Sequence, residues 1–131
     1  MRASFSRSIR ATATAALVLL GAVAASAHPK LMASTPAAAG VVDGKGNLVL
    51  RFNEKLVAQF SGMSIMMTGM PGMRMTAPMG VGNVTTVLRP DGKTLIGHTK
   101  APLVAGTYRL AWHAVSTDTH RVAGSYSFKV K

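Results

Sequence analysis

A chain of 131 residues with fifteen Lys and Arg against four Asp and Glu carries a net charge of +11. The bases are scattered rather than gathered in a run, so the charge speaks for solubility or for an anionic partner or membrane surface, and chooses among them poorly. Cysteine is absent, which excludes disulfides and thiolate ligands and leaves packing to hold the fold.

Arg2, Arg7 and Arg10 precede an apolar run over residues 11–25, and Ala25-Ser26-Ala27 then matches a small-x-small cleavage pattern. The run is shorter than the roughly 20 residues of a membrane span. Residues 1–27 therefore read as a removed secretion signal rather than a retained amphipathic terminus, and export follows. Residues 28–131 leave 104 positions, enough for one core. Removing three of the fifteen bases leaves twelve against four acids, a charge of +8. Export denies the protein routine access to nucleic acid, and basicity disfavours cations at long range. A metal site must then win through its local ligands.

Strand signals follow in order. Residues 28–34 suit an edge strand with Pro29 at its start. Residues 35–46 form a turn-rich connector, and Leu48, Leu50 and Phe52 alternate onto one face. Residues 60–67 make a third candidate. Residues 84–89 and 94–98 flank Pro90-Asp91-Gly92-Lys93 as a hairpin. Tyr108, Leu110 and Trp112 share a parity, as do Tyr126, Phe128 and Val130. About seven short strands without a convincing helix predict an all-β fold, a Greek-key β-barrel or sandwich.

Seven of the nine methionines fall in residues 63–79. Met63, Met66, Met67 and Met70 have the spacing of a buried helix face, and such stripes are commonly core filler. Gly69, Pro71 and Gly72 interrupt it, at about 1 kcal/mol per glycine and about 3 for the proline. A loop offering thioether sulfur is the reading preferred here. Sulfur of this kind is soft and uncharged, suited to Cu(I) and of little use to Mg or Ca.

Cleavage after Ala27 would free the His28 amine beside its imidazole, and together these can chelate one metal ion. Pro29 has no amide hydrogen for Cu(II) to displace, so further ligands must come from elsewhere. Asp118 and His120, two apart on extended backbone, point the same way. Taken alone, they better suit a turn that Asp118 caps with Ser116 and Thr117, with His120 on the surface. Combined with His28, they compose an equatorial shell for tetragonal Cu(II).

With the Ala-x-Ala-His-Pro start, Phe52-Asn53-Glu54, Met67-Thr68-Gly69-Met70-Pro71-Gly72-Met73, and Val115-Ser116-Thr117-Asp118-Thr119-His120 ahead of Gly124-Ser125-Tyr126-Ser127-Phe128, residues 28–131 resemble the CopC family of periplasmic copper-resistance proteins. The resemblance implies a cupredoxin-like Greek-key barrel with two copper sites at opposite poles. It implies a protein that binds, sequesters or carries copper for resistance and homeostasis, and no enzyme. The Cu(II) site would use the His28 amine and imidazole, His120 and a carboxylate, with Asp118 favoured over Glu54. The Cu(I) site would use Met67, Met70, Met73 and Met75, with Met79 in reserve and Met63 and Met66 less favoured. Some relatives carry a histidine where this chain has Met75, and an all-thioether site has no competing proton. Partners would be copper ions and, for onward transfer, a copper-transporting inner-membrane protein or another periplasmic carrier.

A rival from another class is a small copper oxidase built on an N-terminal histidine chelate. Seven aromatics in the chain, with no aromatic-rich substrate face, and a methionine loop without a role in that chemistry speak against it. A β-sandwich adhesion module ignoring copper is a third reading. His98 and His113 read as structural or solvent-facing. Trp112 reads as core, and family resemblance suggests its fluorescence also reports Cu(II).

Overall fold

The computed structural model describes residues 28–82 and 84–131, so the expected cleavage segment lies outside the described residues. Nine strands form: β1 (Leu31–Thr35), β2 (Val41–Val42), β3 (Leu48–Phe52), β4 (Gly62–Met70), β5 (Met73–Gly80), β6 (Val84–Leu88), β7 (Thr94–Thr99), β8 (Gly106–Val115) and β9 (Arg121–Val130). A single 3₁₀ turn, Ala58–Phe60, precedes β4. They make two sheets, in the orders β1-β3-β7-β6 and β2-β9-β8-β4-β5. All pairings are antiparallel except β2 with β9. The all-β sandwich agrees with the pattern of short alternating segments. The two strands beyond the expected seven are β2, two residues long, and β5, which lies in the methionine run.

Alternation explains the core. Leu48, Leu50 and Phe52 of β3 and Leu95 of β7 face Met63, Ile65 and Met67 of β4, Tyr108 and Leu110 of β8, and Phe128 and Val130 of β9. Each such side chain fully withdrawn from water contributes about 1.5–3 kcal/mol. Tyr108 keeps its hydroxyl satisfied by donating to the Val104 carbonyl at 2.6 Å. Trp112 is half-buried, edge-on to Phe52 with centroids 5.1 Å apart. Its indole lies so close over Gly124 that a Cβ there would meet the ring at 2.5 Å, which explains the glycine.

The expected sulfur loop is instead a β-hairpin. The helix breakers are placed where a hairpin can use them. Gly69 follows a bulge in which Thr68 is the extra residue against β8, whereas against β5 the extra residues lie on the β5 side, and Pro71-Gly72 make the two-residue turn between the paired Met70 and Met73. Proline first and glycine second, with φ +70°, is the combination a type II turn requires. The cost that removes a helix is thus no cost to a strand pair.

The turn over residues 90–93 is fastened by Asp91, whose Oδ1 accepts the Lys93 amide at 2.9 Å and the Thr94 amide at 3.1 Å, while Oδ2 accepts the Thr94 hydroxyl at 2.8 Å. The Lys93 amide and then the Thr94 hydroxyl hold the carboxyl below its ordinary value. A carboxylate with a lowered folded pKa stabilises above its unfolded value, near 3.9, and loses that contribution as the pH falls below it. Asp91→Ala should therefore lower the urea midpoint at pH 7, and the gap from the parent protein should narrow as the pH falls below about 4. Leu110→Ala, at a fully buried position, should cost about 3 kcal/mol in the same urea titration at any of these pH values.

Candidate metal centre

Two ends of the sandwich carry the residues singled out from the sequence. Gly62 pairs with His113 and Gly69 with Thr107, so the turn after β4 and the loop after β8 lie at opposite ends of the sheet. The ten residues of β8 separate them by about 30 Å.

At one end, His28 and His120 meet. Their rings lie 4.5 Å apart between centroids, at an interplanar angle of 66°. Both are exposed, whereas Pro29 behind His28 is buried. The His28 arm is pinned by a reciprocal pair of bonds to the end of β3. The Lys30 amide donates to Asn53 Oδ1 at 2.6 Å, and the Asn53 amide donates to the Lys30 carbonyl at 3.1 Å.

The His120 loop is pinned to the residues that follow. The Thr117 amide donates to the Lys55 carbonyl at 3.0 Å, Val57 donates to Val115 at 2.8 Å, and Leu56 bridges Ser116. Within the loop, the Ser116 amide reaches the His120 carbonyl and the Thr119 amide the Ser116 carbonyl, both at 2.9 Å. Thr119 closes this turn at φ +75°, a conformation that costs a branched residue about 1–3 kcal/mol and that these bonds hold in place.

Asp118 organises the imidazole. Its Oδ2 accepts from His120 Nδ1 at 2.9 Å, and its Oδ1 accepts the Ser116 hydroxyl and, at 3.3 Å, the His120 amide. The Ser116 hydroxyl first, and the His120 ring second, pull the carboxyl down to about 2. It is therefore an anion throughout the neutral range. With Nδ1–H engaged by the carboxylate, Nε2 is left with the free lone pair for a metal. Residues 117–119 turn rather than extend, so Asp118 and His120 meet through the turn that Asp118 caps, the alternative the sequence offered, and not through the expected extended backbone.

Glu54, half-buried, lies between Asn53 and Lys55 on the pinning segment. Among the described residues, no three His, Asp or Glu side chains gather into one metal-holding cluster, so neither Glu54 nor Asp118 completes the histidine pair. Sequence reasoning overlooked Asn53 as a working residue, whereas Ser116 bonds Asp118 as the turn reading expected. Asn53 was visible only as the middle of a motif, and its bond to Lys30 spans 23 positions.

His98 is exposed and pairs through Nδ1 with Asn47 Oδ1 at 2.9 Å. His113 is half-buried, its ring against Gly62. Neither lies with His28.

At the other end the methionines divide. Met63 and Met67 are 7% and 6% exposed and belong to the core, whereas Met66, Met70, Met73 and Met79 are 42%, 45%, 65% and 53% exposed. Met75 is half-buried and packs against the core's margin. Met70, Met73 and Met75 line one depression with Thr68, Arg74 and Pro78. Met67 and Met79, paired across the hairpin, line another with Val81, Leu103 and Tyr108. The favoured Cu(I) set of Met67, Met70, Met73 and Met75 is therefore not gathered as expected: three of the four share a depression, and Met67 faces the core. The less favoured Met63 is a core residue too, its sulfur packed against Gly97.

Known proteins resemble this chain in sequence and fold. The CopC domain family model matches residues 31–131. Copper resistance protein C of Pseudomonas syringae pv. tomato is 46% identical over 120 residues, 92% of this chain and 93% of that one. Copper resistance protein C of Escherichia coli is 42% identical, covering 93% and 96%. The crystal structure of PcoC, a methionine-rich copper resistance protein from Escherichia coli, superposes with a TM-score of 0.72 at 41% identity, covering 80% of this chain and all of that one.

The carboxylate–imidazole pair has a spectroscopic consequence. Nitrogen NMR of the metal-free protein should show His120 biased to the Nδ1-protonated tautomer at neutral pH, and Asp118→Ala should abolish that bias.

Proposed function

The chain belongs to the CopC family, and on that premise we propose that it is a periplasmic copper protein that sequesters or carries the metal and catalyses no reaction on it. It holds Cu(II) at the histidine end and Cu(I) at the methionine hairpin. The contact between His28 and His120 carries this reading. Two imidazoles from distant parts of the sequence, edge to face with centroids 4.5 Å apart, are close enough to share one ion at the usual bond length of about 2 Å.

After removal of residues 1–27, the His28 amine supplies a further nitrogen and closes the chelate. His28 and His120 are then the ligands, and Asp118 orients His120 from behind rather than binding directly. Glu54 is not needed in this set. The amine and imidazoles suit Cu(II), while the hairpin's thioethers suit Cu(I), so oxidation state sorts the metal between the two ends. Met70, Met73 and Met75 form the sulfur set, with Met79, in the other depression, and Met66 outside it. Their affinity is nearly independent of pH because thioether has no proton to lose. A copper-transporting inner-membrane protein or a second soluble carrier is the natural recipient, since a carrier with exposed ligands releases by exchange.

Copper titration of the trimmed protein should give one Cu(II) bound in air and one Cu(I) under reductant. His28→Ala or His120→Ala should weaken Cu(II) by more than the roughly 10–100-fold expected for an outer-shell partner, and leave Cu(I) unchanged. One extra residue before His28 should weaken Cu(II) alone. Met70→Leu with Met73→Leu should abolish Cu(I) uptake, whereas Met67→Leu should spare it. Unchanged Cu(II) affinity in both histidine variants would refute the nitrogen site.

A further inference from the structure

Residues 53–57 touch both halves of the histidine end. Asn53 bonds the His28 arm, while Lys55 and Val57 bond the segment that leads into the His120 loop. The two histidines do not bond one another, and the arm is short, since only Pro29 and Lys30 lie between His28 and β1. Its position beside His120 is thus set by where Lys30 is held.

The Lys30–Asn53 pair closes the ladder where β1 and β3 begin to diverge. Leu31 still opposes Phe52, but the register slips between Leu31 and Ala33. That slip loosens the very strand that must deliver His28, because an extra residue on one side unpairs part of the ladder. The bond of 2.6 Å from the Lys30 amide to Asn53 Oδ1 is the side-chain contribution beyond the slip. The Lys30 amide thus bonds the Asn53 side chain where a regular antiparallel pair would use the Asn53 backbone carbonyl.

We propose that Asn53 is a positioning residue for the Cu(II) site: its carboxamide oxygen, through the Lys30 amide, preforms the meeting of His28 with His120. This rests on the nitrogen-site reading above and assigns a role to the neighbour of Glu54, the acid the sequence suggested. Asn53 touches no copper. It raises the fraction of protein whose arm is already in place, and apparent affinity scales with that fraction.

The test uses the trimmed protein, Asn53→Ala and Asn53→Asp, with Cu(II) and Cu(I) titrated separately. Alanine removes the acceptor, and aspartate retains an oxygen at the same reach. The expected result is Cu(II) affinity about tenfold weaker in Asn53→Ala, restored in Asn53→Asp, with Cu(I) affinity the same in all three. In the metal-free protein, exchange of the Lys30 amide hydrogen should accelerate in Asn53→Ala alone. Equal Cu(II) affinity in the alanine variant, or failure of aspartate to restore it, overturns the role of Asn53. A parent protein that takes up no Cu(II) overturns instead the nitrogen site beneath it. A fall in Cu(I) affinity alongside Cu(II) would mean general loosening of the fold, and would also overturn the assignment.

Discussion

Burial of the two inward sheet faces against one another is the constraint on which the rest depends. With no disulfide available, the leucines and aromatics between the sheets must hold 104 residues together, and they do so only if each strand keeps its alternation. Long antiparallel strands then carry their connections to two opposite ends, where no core demands the residues. Chemistry is confined to those ends because the middle of the sandwich is already committed to packing.

The methionine hairpin shows the same constraint acting within one segment. Up to Met67, alternate residues of β4 are core, and Met63 and Met67 fill space there as flexible apolar side chains do. Past the bulge and around the turn, the sandwich ends and the same residue type becomes exposed sulfur. One run of methionines thus serves two purposes, separated by position along a strand rather than by any difference in chemistry.

The histidine end is built differently, from a shared brace rather than a single strand. Hydrogen bonds from residues 53–57 bring together two segments that begin and nearly end the described chain. Asp118 spends both its oxygens inside its own loop, which keeps it ionised and aims the His120 ring. A negative charge is therefore fixed locally at this end, in a protein whose overall charge is positive.

Alternation at Leu48–Phe52, the Pro90–Lys93 turn and the parity of Tyr108, Leu110 and Trp112 are local properties, so strand identity and the all-β class were legible in the residues themselves. So was the chemistry of the ligands, because an imidazole or a thioether has its preferences wherever it stands. The methionine run misled because Gly69, Pro71 and Gly72 exclude a helix without distinguishing a loop from a bulged hairpin; only the pairing of β4 with β5 and β8 decides that, and with it which sulfurs face the core. Asn53 escaped notice for the same reason, its partner lying 23 residues away. The amino acids by themselves determined which groups are present and which metals they suit. Only the tertiary structure decided which of them meet, since contact between distant segments depends on strand order and register, and neither is written in any single stretch of chain.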